Sequence, residues 1–289
     1  MKEFESFIKI AIEEAKESLR EGNHGFGAII TLNGEIISQS HDREVTLNDP
    51  TFHAELDVIR LASKKLNGKL NGSSIISTHE PCPMCASAIV WSGISEVVFG
   101  YSIEDSIKEG RKRINIKCTE IFERAGSNIK VIGGVLKEEC SLLYNQEVRK
   151  SIKQLRNADV EEIKLLSQEL MQKRKKWFIK NKRDLLNEDE TVLENAYKIF
   201  LRKLGISADE ALIVERDENK IIIYSKNFCP TLEACKILNL DTRYICKILN
   251  EEATDALLKE INPNLKFTRN YNKLRPFTEY CEEEIQITV

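Results

Sequence analysis

Two short stretches decide how this chain is read: Asn48-Asp49-Pro50-Thr51-Phe52-His53-Ala54-Glu55 and, further on, Glu80-Pro81-Cys82-Pro83-Met84-Cys85-Ala86. One His and two Cys separated by two residues offer three nitrogen and sulfur ligands. That is enough for a zinc ion that keeps a fourth position for water, and the open position is what separates a catalytic site from a structural one. Glu55, two residues beyond His53, is placed to face that water without being a ligand. Zinc lowers the pKa of its water to about 7, and a neighbouring carboxylate can take the proton and pass it to a departing nitrogen. The combination suits hydrolytic deamination. Either fragment alone is ambiguous, because C-x-x-C is often a structural half-site or a redox pair and a lone His is commonly a core or surface residue. Together they narrow the reading to a catalytic zinc site with His53, Cys82 and Cys85 as ligands and Glu55 as catalytic residue. Both stretches are expected at helix starts, where free N–H groups and the helix dipole favour thiolates.

Outward from these motifs, Phe4, Phe7, Ile8, Ala11, Ile12, Ala15 and Leu19 recur at helical spacing, and Gly22 follows as a stop. Residues 26–32 and 35–40 are apolar-rich runs joined by Asn33-Gly34, a hairpin signal. A second helix is expected from Asp49-Pro50 through Leu61, since Asp can cap and Pro is tolerated at the first helical position. Strand-like runs follow at 74–78, 96–101 and 129–132, with helical patterns at 83–91, 119–124 and 137–155. This alternation implies one sheet with helices on its faces. Beyond Asn157 the texture changes. Residues 157–205 are highly charged and helical in pattern, so they are expected to form a connecting region. Residues 206–289 offer a hairpin around Asp217-Glu218-Asn219, short helices at 230–238 and 242–249 and a tail strand from Ile285, which suggests a small α+β domain.

The chain has 289 residues, 42% hydrophobic and 31% charged, the balance of a folded protein and not of a disordered or fibrous one. With 43 Lys plus Arg against 46 Asp plus Glu the net charge is -3, so any nucleic-acid site has to be a local patch. Neither a signal peptide nor a membrane span is expected, which places the protein in the cytoplasm. Eight Cys are then read as metal ligands or buried thiols in preference to disulfides. Cys229, Cys235, Cys246 and Cys281 lack metal-site spacing, and Cys118 and Cys140 are expected in the core.

The order H-x-E followed by P-C-x-x-C is the signature of zinc deaminases. At these residues, and again at Gly134-Val135-Leu136 with Glu138-Glu139-Cys140, residues 1–155 resemble the cytidine deaminase superfamily, in the branch of guanine deaminase, yeast-type cytosine deaminase and tRNA adenosine deaminase. The resemblance implies a domain over 1–156 with a three-layer α/β/α sandwich around a five-stranded mixed sheet. It also implies a Zn2+ cofactor held by His53, Cys82 and Cys85, with Glu55 as proton shuttle, and a homodimer. The expected activity is deamination of a free nucleobase or nucleoside. The alternatives are a tRNA adenosine deaminase or a non-catalytic ligand- or RNA-binding zinc protein.

Asp42, Trp91, Ala54 and Phe26 are the candidate substrate contacts. Family members carry an Asn where Asp42 stands, and an ionised Asp only accepts hydrogen bonds, so the preferred base differs in its polar pattern; His41 or Asn48 could take the role if the hairpin shifts. Trp91 aligns with a Trp of the base pocket, although its helical spacing also fits core packing. Arg111-Lys112-Arg113 replaces the acidic stretch by which guanine deaminase reads its substrate. A charge run is usually a solvated face, and the other reading is a receptor for a phosphate or carboxylate. Residues 102–113 also lack the Thr-Gly-Ala-Ala-Gly-like segment of tRNA adenosine deaminases. Lys173-Arg174-Lys175-Lys176-Trp177-Phe178 mixes charge with aromatics as RNA-binding surfaces do, or as an ordinary charged helix with a buried Trp does.

Overall fold

Phe4, Ile8, Ala11, Ile12, Ala15 and Leu19 form the buried stripe of α1 (Lys2–Glu21) in the computed structural model, which describes residues 2–288. After it, β1 (Gly27–Leu32) and β2 (Glu35–His41) make a hairpin whose turn residues Asn33 and Gly34 both have positive φ, at 53° and 82°. The chain continues through α2 (Ala54–Lys65), β3 (Ser74–His79), α3 (Pro83–Ser92), β4 (Glu96–Tyr101), α4 (Ile103–Lys108), α5 (Cys118–Arg124), β5 (Lys130–Gly133), α6 (Lys137–Leu142) and α7 (Gln146–Leu155). The strands form one mixed five-stranded sheet in the order β2-β1-β3-β4-β5. β1 is antiparallel to β2 and β3, whereas β3, β4 and β5 run parallel and are joined by helical crossovers.

Side chains alternate across this sheet. Ala28, Ile30, Ile75, Val97 and Phe99 pack with Val58 and Ala62 of α2, Ala86 and Ile89 of α3 and Phe122 of α5. Ile29, Ile76 and Val98, one residue out of step, are also fully buried, on the face that α1 crosses. The helices therefore lie on both faces, as a three-layer sandwich requires. The α1 crossing is so close that a Cβ on Gly27 would sit 2.0 Å from the Ala11 carbonyl oxygen.

Several elements begin or end elsewhere than the sequence suggests. α2 starts at Ala54 and not at Pro50, because the Asp49 carboxylate accepts from the Thr51 amide and hydroxyl (2.8 and 2.7 Å) and closes a turn of its own. The helix expected over 137–155 is broken into α6 and α7, with the Asn145 side chain accepting from the amides of Glu147 and Val148. α4 falls in a run with no clear period.

The chain divides into two compact units, Met1–Lys153 and Gln154–Val289. In the second, α8 (Val160–Leu185) and α9 (Val192–Leu204) precede β6 (Ala211–Arg216), β7 (Lys220–Ser225), α10 (Pro230–Leu238), α11 (Thr242–Ile245), a π-helical turn at Cys246–Glu251, α12 (Glu252–Leu258), β8 (Leu265–Arg269) and β9 (Cys281–Ile287). The strands form an antiparallel sheet ordered β6-β7-β9-β8. Residues 157–205, expected as a connector, are built into this unit. Leu193, Ala196 and Phe200 of α9 pack on Ile221, Ile223, Phe267 and Ile285, and Phe178 of α8 packs on Ile199 and Leu257. Their high charge hid a narrow apolar stripe. No helix among the described residues is long and apolar enough to cross a membrane.

Candidate functional site

The metal ligands sit where two helices begin. His53 is the N-cap of α2 and Cys82 the N-cap of α3, with Pro83 opening the helix and Cys85 in its first turn. The His53 Nδ1 atom lies 3.6 Å from Cys82 Sγ and 3.4 Å from Cys85 Sγ, and the two sulfurs are 3.6 Å apart. A tetrahedral zinc with bonds of about 2.3 Å to sulfur and about 2.0 Å to nitrogen spaces its donors by roughly 3.5 to 3.8 Å. The triangle therefore fits zinc both in donor chemistry and in size. Among the described residues it is the group of His, Cys and acidic side chains that can close on one ion.

Glu55 lies one turn from these ligands, buried. Its Oε2 is 3.6 Å from Cys85 Sγ, and Ser77 Oγ donates to Oε1 at 3.2 Å. Burial pushes its carboxyl above the ordinary range. Burial pulls the His53 imidazole down, but its hydrogen bond to Cys82 and the nearby Glu55 outweigh this and raise it to about 9. Cys82 is pulled down to about 4 by a hydrogen bond from Cys85 and the contact with His53, whereas Cys85, donating to Cys82 and buried, is held well above the ordinary thiol range.

A cavity of about 320 Å³ opens over His53, Glu55 and Cys82, and Phe26, His79 and Glu80 continue its lining. Phe26 stacks on Tyr144 at 5.3 Å and Tyr101 backs Tyr144 at 5.6 Å. His79 meets Tyr144 edge-on at 5.4 Å; burial pushes its imidazole down to about 3, and Arg113, Arg111 and Arg149 add to the effect. The neutral ring donates from Nδ1 to the Glu80 carbonyl (2.9 Å) and accepts at Nε2 from Ser106 Oγ (2.7 Å). The Glu80 carboxylate accepts from the amides of Ile103 (3.0 Å) and Cys118 (3.1 Å), so it ties both ends of the 102–118 loop to the metal-ligand segment.

With these positions in view, residues 1–101 match the family described as the cytidine and deoxycytidylate deaminase zinc-binding region. The chain is 37% identical to a tRNA-specific adenosine deaminase of Bacillus subtilis, an alignment that covers 54% of this chain and 97% of that protein. It is 38% identical to a guanine deaminase of the same species, an alignment that covers 37% of this chain and 69% of that protein. A probable cytosine deaminase of Schizosaccharomyces pombe is 32% identical over 46% of this chain and 85% of its own length. The chain belongs to the zinc-binding cytidine, guanine and tRNA-adenosine deaminase superfamily. This deaminase is a zinc-dependent hydrolase of C–N bonds, and its relatives differ in substrate.

Of the expected substrate contacts, only Phe26 lines the cavity. Asp42 is 1% exposed and is satisfied by the chain itself: Oδ1 accepts from Ser18 Oγ (2.5 Å) and the Phe26 amide (2.8 Å), and Oδ2 from the His24 amide (2.9 Å). It shapes the 24–26 rim in place of lining the cavity. Ala54 is buried in the core at the first position of α2. Trp91 is 90% exposed at the end of α3, so it neither walls the cavity nor packs in the core. The lysine- and arginine-rich run of α8 is also spent in part on packing. Arg174 is buried and donates to Thr254 Oγ1 at 2.5 Å, Phe178 is core, and Lys203 lies 4.8 Å from the Trp177 ring centre. His79, Tyr144 and Arg149 gave no sequence signal, since each is a single residue of common type with no spacing to a partner, and Glu80 stood in the quoted motif without a role assigned to it.

Proposed function

We propose that this chain hydrolytically deaminates adenosine held in RNA, with transfer RNA the substrate to test first. The observation that carries this reading is the 37% identity over nearly the whole length of a tRNA-specific adenosine deaminase. Zinc held by His53, Cys82 and Cys85 would supply the acidity that turns water into a nucleophile at neutral pH. Glu55 takes a proton from the attacking water and delivers it to the leaving amine, a task for which its burial-raised carboxyl is suited because it holds a proton closer to neutral pH than an exposed carboxylate does. Phe26, backed by Tyr144, gives the heterocycle a flat wall. Ser77, donating to Glu55, keeps the second carboxylate oxygen in place.

A second reading, deamination of a free nucleobase or nucleoside, is favoured by the similarity to guanine and cytosine deaminases and by a cavity whose 320 Å³ suits one nucleoside. The deciding experiment incubates zinc-loaded protein with tRNA and, separately, with adenine, guanine, cytosine and their nucleosides, and follows ammonia release and inosine formation in RNA. Inosine in tRNA without turnover of the small substrates supports the first reading. Turnover of one small substrate alone replaces it with the second.

A further inference from the structure

Arg111 and Arg113, from the basic triplet, and Arg149 of α7 all reach the cavity that holds His53 and Glu55. Arg111 lies 5.4 Å above the Tyr144 ring and its side chain is only 11% exposed. Its Nε and one terminal nitrogen are buried without a hydrogen-bond acceptor, and its nearest carboxylate, Glu109, stands 3.9 Å away. Arg113 lies 5.3 Å over Phe26, donates to the Lys112 carbonyl at 3.1 Å and likewise has a buried Nε with no acceptor. Arg149 is anchored by the carbonyls of Leu143 (2.9 Å) and His24 and lies 5.6 Å from Tyr144.

The carboxylates along the cavity do not answer these cations. Glu80 is taken by two backbone amides, Glu44 lies 3.5 Å from His24 Nε2, and Glu55 faces the metal ligands. Burial lowers the Arg111 and Arg149 guanidinium groups, the latter to about 10, and arginine keeps its charge in proteins at neutral pH. A buried charged donor with no acceptor is costly, and proteins keep such groups where a ligand or ion completes them. Guanidinium forks match the paired oxygens of a phosphate.

We propose that Arg111 and Arg113, with Arg149 behind them, bind the phosphate carried by the nucleotide whose base is deaminated. The inference rests on the reading of this cavity as the deaminase site. The phosphate can be the monoester of a free nucleotide or the diester of an RNA strand.

The test uses full-length, zinc-loaded protein carrying Glu55→Gln, so that ligands bind without turnover. Calorimetry compares adenosine with adenosine 5′-monophosphate, guanosine with its monophosphate, cytidine with its monophosphate, and a short RNA with the matching nucleoside. Phosphate is expected to tighten binding at least tenfold for the nucleoside the site accepts, and Arg113→Gln and Arg111→Met are each expected to remove most of that gain while nucleoside affinity stays within twofold. A gain confined to RNA assigns the diester, and a gain confined to monophosphates assigns the monoester. Equal affinity with and without phosphate, or a gain that survives both substitutions together, overturns the proposal. Retained zinc and an unchanged melting temperature identify folded variants, and Arg111→Lys, which keeps the charge, is expected to restore part of the gain. Because binding is read and not turnover, failure to deaminate tRNA refutes the proposed function without touching this result.

Discussion

Before zinc binds, the three ligands hold their protons unevenly. Cys82, pulled down to about 4, is a thiolate at neutral pH, while Cys85 keeps its proton and His53, raised to about 9, is protonated. Zinc needs both sulfurs as thiolates and the imidazole neutral, so loading displaces one proton from Cys85 and one from His53. Apparent zinc affinity is therefore expected to fall by about a hundredfold for each unit of pH lost between roughly pH 8 and pH 5, read by chelator competition. Titration in two buffers of different ionisation enthalpy gives the proton count directly. A count near zero at pH 7 would remove this account of the triad. Glu55 is a donor-acceptor and not a ligand in the proposed mechanism. Glu55→Gln should thus retain one zinc per chain by metal analysis and lose about 10²- to 10⁴-fold in ammonia release. The three zinc ligands were legible because their signal is local: H-x-E and C-x-x-C each fit within one helical turn, and the first of these spacings also brings Glu55 to their side. Arg111 and Arg113 stood out as a basic triplet, but their meeting with Arg149 did not, since α7 brings it to the loop after β4 only in the folded chain. Asp42 was misplaced for a related reason, as its buried partners Ser18, His24 and Phe26 come from an earlier segment that spacing cannot align with it.

At the scale of the elements, the sandwich depends on how closely α1 approaches the sheet. Gly27 opens β1 under α1, and an added Cβ would lie 2.0 Å from the Ala11 carbonyl and 2.6 Å from the Ala15 amide nitrogen. Both are backbone atoms of a helix and cannot swing aside. Gly27→Ala is therefore expected to cost about 1 to 3 kcal/mol, seen as a lower melting temperature with zinc still bound in the folded fraction. An unchanged melting temperature would mean that α1 shifts freely. Strand and helix existence was readable where period and punctuation agreed. The Asn33-Gly34 hairpin, β4 and α10 fall where the pattern puts them, because each is bounded by its own turn or proline. Boundaries failed where side chains competed with the backbone, at Asp49 and at Asn145. β8 went unread because its five residues, Leu265–Arg269, alternate too briefly to stand out from the loops around them.

Each unit packs a hydrophobic core of its own and carries one tryptophan, Trp91 in the first unit and Trp177 in the second. The second core encloses an ion pair: Arg269 donates from Nε and Nη2 to Glu283 Oε1 at 2.9 and 2.7 Å, with side chains 7% and 4% exposed, and Ser225 donates to the other Glu283 oxygen. Removing the carboxylate leaves the arginine charged and buried without its partner, a change that typically costs 3 to 5 kcal/mol. Zinc, by contrast, stabilises only the fold that presents His53, Cys82 and Cys85, which lies wholly in the first unit. Two perturbations should then separate two transitions. In a Trp91→Phe background, where Trp177 alone reports, Glu283→Ala is expected to lower the fluorescence melting temperature by on the order of 10 °C, while the temperature of zinc release stays in place. Chelation should do the reverse. A single transition that both perturbations move together would show that the two cores unfold as one cooperative body, and the second unit would then have to be counted among the supports of the zinc site.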